Sequence, residues 1–334
     1  MIEQSEEKWL EVVKKRGVEI SQVPNQTREI CVAAIEQSHW AFKYIREQTE
    51  ELCLLAVRKR GKLLEYVHDK TDFICLEAVR RDGLALGFVV NRTDEICWEA
   101  IRQNGCALVY VKNQTEEMCL AAVRQNGLAL EHVSNKTEEM CLIAVRQNGW
   151  ALEHVPNKTE EMCWIAVIRN YSALRFVENQ TEEMCLTTVR KNGMALCYVK
   201  DQTEEICIEA VKQDGRVLMY VKNQTEEICW IAVRQNGRAL EYVKDKTEEI
   251  CWEAVKRDST ALQFVENQSE EICLEAVKQS GYSLQYVKEQ TEEICLEAVM
   301  EYGDALQYVK DPTEEMLFVK TQASLPPPAS YSCE

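Results

Sequence analysis

Apolar residues return along this chain in two short bursts, and the whole figure repeats every 22 positions. In the stretch TEEICWIAVRQNGRALEYVKDK, Thr225 to Lys246, numbered here as positions 1 to 22, the first burst is Ile228, Cys229, Ala232 and Val233 at positions 4, 5, 8 and 9. That spacing lays one apolar face along an α-helix. The second burst, Ala239, Leu240 and Val243, falls at positions 15, 16 and 19. A half-exposed strand would turn 15, 17 and 19 to water, yet position 19 is Val in thirteen copies and Ile45 in the other. Position 17 is the one that varies: Glu65, Gly87, Val109, Arg175, Met219. One or two turns of helix fit this pattern better than a strand does.

The polar positions supply the punctuation. Ser5, Thr27, Thr49, Thr71, Thr93, Thr115, Thr137, Thr159, Thr181, Thr203, Thr225, Thr247, Ser269 and Thr291 open fourteen copies in steps of 22, and Thr313 opens an incomplete one. Each is placed as a helix N-cap, and the acids that usually follow at positions 2 and 3 sit where the helix dipole favours negative charge. Position 13 is Gly in eleven of the fourteen copies, with His39, Tyr171 and Ser259 in the others. It is expected to end the first helix in a left-handed conformation.

The expected fold is therefore all-α, an α-solenoid of about fourteen 22-residue helix–turn–short-helix repeats. The alternative is a strand-plus-helix horseshoe of the leucine-rich kind, whose usual period includes 22. Residues 1–26 make an N-terminal capping repeat, because Lys8, Trp9, Glu19 and Gln22 replace residues that are apolar, small or aromatic elsewhere. Residues 27–312 are thirteen regular repeats and 313–320 a partial C-terminal repeat. Residues 321–334, rich in Pro, read as a disordered tail.

Charge then narrows the partners. Lys plus Arg number 39 against 56 Asp plus Glu, a formal net charge of −17 over 334 residues. Such a chain repels a phosphate backbone, so nucleic acid is not an expected partner. No stretch approaches the roughly 18 to 20 consecutive apolar residues of a membrane span, and the first residues lack the apolar core of a signal peptide. An intracellular, cytoplasmic protein that does not engage a membrane is expected.

The residues that invite chemistry are mostly absorbed by the repeat. Thirteen of the sixteen cysteines occupy position 5 of successive copies: Cys31, Cys53, Cys75, Cys97, Cys119, Cys141, Cys163, Cys185, Cys207, Cys229, Cys251, Cys273 and Cys295. Layers about 8 to 10 Å apart hold neighbouring cysteines beyond disulfide reach, and one thiol per layer cannot converge as four zinc ligands. The ladder is expected to be structural core, with no metal and no cofactor. Of the cysteines off the ladder, Cys333 in the tail is the one expected to be exposed and oxidisable. His132 and His154 fall at position 18, where other copies carry aromatic rings. The eight Asn-x-Thr/Ser sequons that end on a cap arise from a turn-forming Asn two residues before it. The recurring acid pairs answer the helix dipole and need no acid–base role. No catalytic constellation is present, and a non-enzymatic protein is expected.

What varies against the fixed frame is left to carry function. Position 10 is usually Arg or Lys and is expected to form ion pairs within and between repeats. Position 6 carries Trp98, Trp164, Trp230 and Trp252, and position 7 alternates between Ile and Glu. Position 14 varies most in chemistry. Trp40, Leu84, Trp150, Arg216, Arg238 and Tyr282 on that column are the candidate partner-binding residues, since a repeat frame can display different chemistry along its length.

The phrase running from Thr115 to Val133, with its words A-V-[RK]-Q-[ND]-G and A-L-x-[YF]-V, resembles the repeat family catalogued as domain of unknown function 4116. The resemblance covers nearly the whole chain. It implies a helical repeat fold and a viral or host-interaction setting, which would be a host cytoplasm or a virion. It implies no catalytic residues. The expected function is a scaffold for a protein partner; the alternative is a structural, self-associating rod-like element.

Overall fold

The computed structural model describes residues 2–323, with side chains described for 6–320. Each regular copy is a ten-residue α-helix over positions 2 to 11 followed by a six-residue 3₁₀ helix over positions 13 to 18, as in Glu226–Gln235 and Gly237–Tyr242. Every element among the described residues is helical, so the strand-plus-helix alternative falls away and the α-solenoid expectation stands. The second segment is too short for an α-helix to be the tighter choice. Its end is closed by a bond from the Val243 N–H to the Leu240 carbonyl three residues back, at 3.3 Å.

The cap at position 1 behaves as its chemistry dictates. The Thr225 hydroxyl accepts the Ile228 N–H at 3.4 Å, and the other caps from Thr49 to Thr313 repeat the bond or its geometry. Positions 4, 5, 8 and 9 of the α-helix and 15, 16 and 19 of the second segment are buried, and Leu at position 16 reaches zero exposure from Leu64 to Leu284. Neither helix has an apolar stripe wide enough to form a core alone. Neighbouring copies complete it, which is the general condition of a stacked repeat.

The helix stop differs from its expectation, since no described glycine has a positive φ. The chain leaves the α-helix through an extended residue at position 12: Asn236 has φ −151° and ψ 111°. Its N–H still bonds the Ala232 carbonyl at 2.9 Å, while its side-chain oxygen accepts the Arg238 N–H at 3.0 Å. Asn or Asp at this position therefore ends one helix and caps the next in a single residue.

Glycine at position 13 answers to a neighbour instead. A Cβ built on Gly193 would stand 2.7 Å from the carbonyl oxygen of Ala210, position 8 of the following copy, and at nine other position-13 glycines between Gly17 and Gly281 the approach is closer still. Real Cβ atoms do not come so near, so glycine sets how tightly one copy settles on the next. The departures from glycine behave accordingly. After His39 and after Ser259 the successive α-helices Arg28–Gln37 and Glu50–Lys59, and Glu248–Arg257 and Glu270–Gln279, pack least closely in their units.

The chain falls into two compact units, residues up to Val177 and residues from Glu178, and the division follows the copy that carries Tyr171. The first unit holds copies 1 to 8 and the second copies 9 to 14. The first α-helix spans Ile2–Lys15, so Ser5 lies inside it and does not cap it. The last described helix, Glu314–Ala323, runs three residues beyond the expected end of the partial repeat. The remainder of the tail lies outside the described residues.

Gly127→Ala places a methyl group against the Ala144 carbonyl and should lower stability by about 1 to 3 kcal/mol, as forced overpacking does. Urea unfolding followed by circular dichroism measures this, and an unchanged midpoint would sink the spacing role.

Candidate interaction surface

Polar side chains lock the copies together before any surface is left over. The residue just before the cap, position 22, is Gln in eight copies. Gln224 donates to the Tyr242 carbonyl of the following copy at 2.9 Å and to the Leu218 carbonyl of its own copy at 3.4 Å, and it accepts the Lys244 N–H at 3.0 Å. One amide thus ties the end of one 3₁₀ helix to the end of the next. Gln26, Gln48, Gln114, Gln180, Gln202, Gln268 and Gln290 hold the same two partners 18 and 20 residues on. Sequence reasoning missed this clamp because it took the Asn-Gln-Thr triplets only as turns before a cap. The recurrence of Gln at one register was the available signal.

Three further ladders run alongside. Gln at position 11 reaches back: Gln125 accepts the Gly105 N–H at 2.8 Å and donates to the Gln103 carbonyl at 3.3 Å. Lys at position 20 donates to the carbonyl one copy earlier, as from Lys244 to Lys222 at 2.9 Å and Lys222 to Lys200 at 2.6 Å. The cations at position 10 pair between copies, and position 7 chooses the partner. Where it is Glu, the pair is Arg58 with Glu77 at 2.6 Å or Arg234 with Glu253 at 3.2 Å. Where it is Ile, Arg146 turns to Glu161 at position 3, at 3.3 Å. These pairs are exposed and contribute little each.

The thirteen ladder cysteines are buried, and none is in a disulfide. Several donate weakly to the position-22 Gln, as Cys119 does to Gln114 at 3.6 Å. Burial pushes the thiols up from Cys31 to Cys141 and from Cys185 to Cys295, Cys185 and Cys273 to about 11. Cys106 is half-buried and accepts from the Asn126 amide at 3.1 Å; Cys197 is exposed; Cys333 lies outside the described residues. His154 stands 4.0 Å from Glu131 of the preceding copy, and burial followed by Arg60 lowers the pKa of His39. In the second unit an open groove of about 850 Å³ lies over Cys251 and Cys273, edged by Trp252, Lys244, Lys288, Glu248 and Glu270. Its rim mixes both charges and selects neither. Among the described residues no group of three or more His, Cys, Asp or Glu is placed to hold a metal ion, and no helix is long and apolar enough to cross a membrane.

The position-14 column forms one edge in each unit, at the start of every 3₁₀ helix. In the first unit Trp40 is 38% exposed and Trp150 37%, with Leu84 half-buried. Leu84, Cys106, Leu128 and Trp150 occupy four successive copies without a charge between them. Trp150 packs edge-on against Phe176 with ring centres 5.8 Å apart, beneath the Arg175 guanidinium at 5.9 Å. Trp40 lies under Arg60 at 4.5 Å. Ser172, on the same column, is buried at 7%. In the second unit Arg216 and Arg238 are exposed and Tyr282 is 40% exposed. Arg216 folds back onto Asp214 at 2.9 Å, which holds that carboxyl below its usual range.

A model of the family described as "Domain of unknown function (DUF4116)" matches eight overlapping stretches: residues 73–115, 94–138, 115–159, 181–225, 203–246, 225–269, 247–291 and 269–312. Each match spans two copies of the 22-residue unit, so the family's own unit is a pair of layers. No curated protein matches the chain.

The buried thiols give a pH prediction with a definite sign. The folded chain keeps these protons to higher pH than the unfolded chain, whose thiols titrate near about 8.5. The stabilisation is complete below that value and is lost as pH rises toward about 11. Urea midpoints should therefore fall steeply above pH 9. A disulfide-exchange reagent at pH 8 should find Cys197 at once, with the ladder thiols reacting only as the chain unfolds.

Proposed function

We infer that this chain, which belongs to the DUF4116 family, is a non-enzymatic scaffold that holds a protein partner along the position-14 edge of its first unit. The carrying observation is the uninterrupted apolar run Leu84, Cys106, Leu128 and Trp150 on an edge whose frame does not require it. Lys62, Arg216, Arg238 and Asp304 fill the same position in other copies without disturbing the fold, so packing does not select the apolar residues. Leu128 is 36% exposed and Trp150 37%. An exposed Trp beside an Arg is the kind of anchor that dominates binding energy at protein interfaces. A host cell, the setting the resemblance implies, is where such a partner is to be sought.

A second reading, self-association, has one observation in its favour. Leu317 is 50% exposed at the position where the regular copies bury Cys. Sedimentation that stays monomeric at every concentration would rule it out.

Leu128→Glu with Trp150→Glu should weaken partner binding by roughly tenfold or more; the loss of the Trp150 contact with Phe176 should lower the urea midpoint while the chain stays folded. Lys62→Glu on the same column serves as the control. Partner capture from host extract that survives the double substitution would overturn the assignment.

A further inference from the structure

The joint between the last two complete copies is unlike the other described joints. In two other joints position 12 lies beside position 14 of the copy before: Arg60 covers Trp40 at 4.5 Å, and Asn126 bonds Cys106 at 3.1 Å. At copies 13 and 14 the two residues are Tyr282 and Tyr302, with ring centres 4.5 Å apart and planes inclined at 40°. Tyr308, at position 18, adds a third ring 6.2 Å from Tyr282 and inclined at 67°. Tyr282 and Tyr302 are each 40% exposed. The result is a shelf of tyrosine rings facing outward, with hydroxyl groups at its rim. Packing does not demand it, since other copies place Asn, Arg or Leu at the equivalent positions.

The segment that follows the last described helix carries matching chemistry. The helix Glu314–Ala323 is tied to the same edge by Lys320, whose Nζ lies 3.7 Å from Asp304 at position 14 of copy 14. In the 22-residue register residue 324 is the next position 12, the place that borders that edge. Directly after it comes Leu325-Pro326-Pro327-Pro328. Three consecutive prolines favour the extended left-handed helix, which has no internal hydrogen bonds, a low entropic cost of docking, and a strong preference for ridges of aromatic rings. At about 3.1 Å per residue these four residues span roughly 12 Å. That is enough to cross rings whose centres are 6.2 Å apart.

We propose that the tyrosine shelf of Tyr282, Tyr302 and Tyr308 is the docking site for this chain's own Leu325–Pro328 segment, which packs its prolines across the rings in cis. The docking is independent of any partner on the first unit. It covers the tyrosine-bearing end of the second unit's position-14 edge. Residues from Ser330 onward would extend past the shelf.

The test uses the full chain with ¹³C-labelled tyrosine rings, assigned through Tyr282→Phe and Tyr302→Phe. Replacing Pro326, Pro327 and Pro328 together by Gly should shift the ring resonances of Tyr282 and Tyr302 and leave those of Tyr66 and Tyr110 in place. Limited chymotrypsin cleavage after Tyr331 should quicken by roughly threefold or more in the Tyr282→Ala/Tyr302→Ala chain, as expected if the segment is docked most of the time. Protection of the ladder thiols from alkylation confirms that each variant is folded. Unchanged ring resonances together with unchanged cleavage would overturn the proposal. So would ring shifts that appear only as protein concentration rises, because the occupant would then be the tail of a second copy.

Discussion

Everything in this fold depends on how closely one copy can settle on the next. The backbone at position 13 approaches a carbonyl of the following helix at a distance that excludes any β-carbon. From that approach follow the buried Ala at positions 8 and 15, too small to hold the layers apart, and the narrow slot that Cys fills at position 5. The glutamine amides at positions 11 and 22 can then span the joint with ordinary hydrogen-bond lengths. A larger residue at position 13 opens the joint, and the packing loosens where His39 and Ser259 stand.

Polar residues do an unusual share of the joining. The apolar columns supply burial, which is without direction and would tolerate sliding of one layer over another. The clamps at position 22 and the back-reaching Gln at position 11 remove that freedom, because each needs a donor and an acceptor at fixed places on the neighbour. Charge pairs at positions 10, 7 and 3 follow the register that these bonds set. The exposed edge at position 14 is what this locking leaves free to vary.

Much of this was legible in the sequence, and what was not has a physical reason. The period, the two helices, the caps and the buried columns follow from apolar spacing, because burial is a property of side chains one residue at a time. The second helix is 3₁₀, a distinction that six residues with apolar positions at 15, 16 and 19 do not make. The role of Gly193 and its counterparts was misread, because glycine in a sequence signals freedom of φ as readily as want of space, and only a neighbour's position separates the two. Asn236, at a position the apolar pattern leaves without a role, ends one helix and caps the next. Gln224 looked like a loop residue, since its partners lie 6 residues behind and 18 and 20 ahead. For the candidate edge, the column is identifiable from its variability, whereas the half-burial of Leu84 and the burial of Ser172 depend on neighbours in space that a column of residue types does not show.

The position-22 clamp also governs how such a chain can change in length. Each glutamine reaches partners 18 and 20 residues onward, so inserting or removing a few residues between them breaks two bonds and misplaces the cap that follows. Adding or removing 22 residues renews every bond with an equivalent partner. The molecule is thus divisible only at whole layers, and its natural unit of growth or loss is the complete copy.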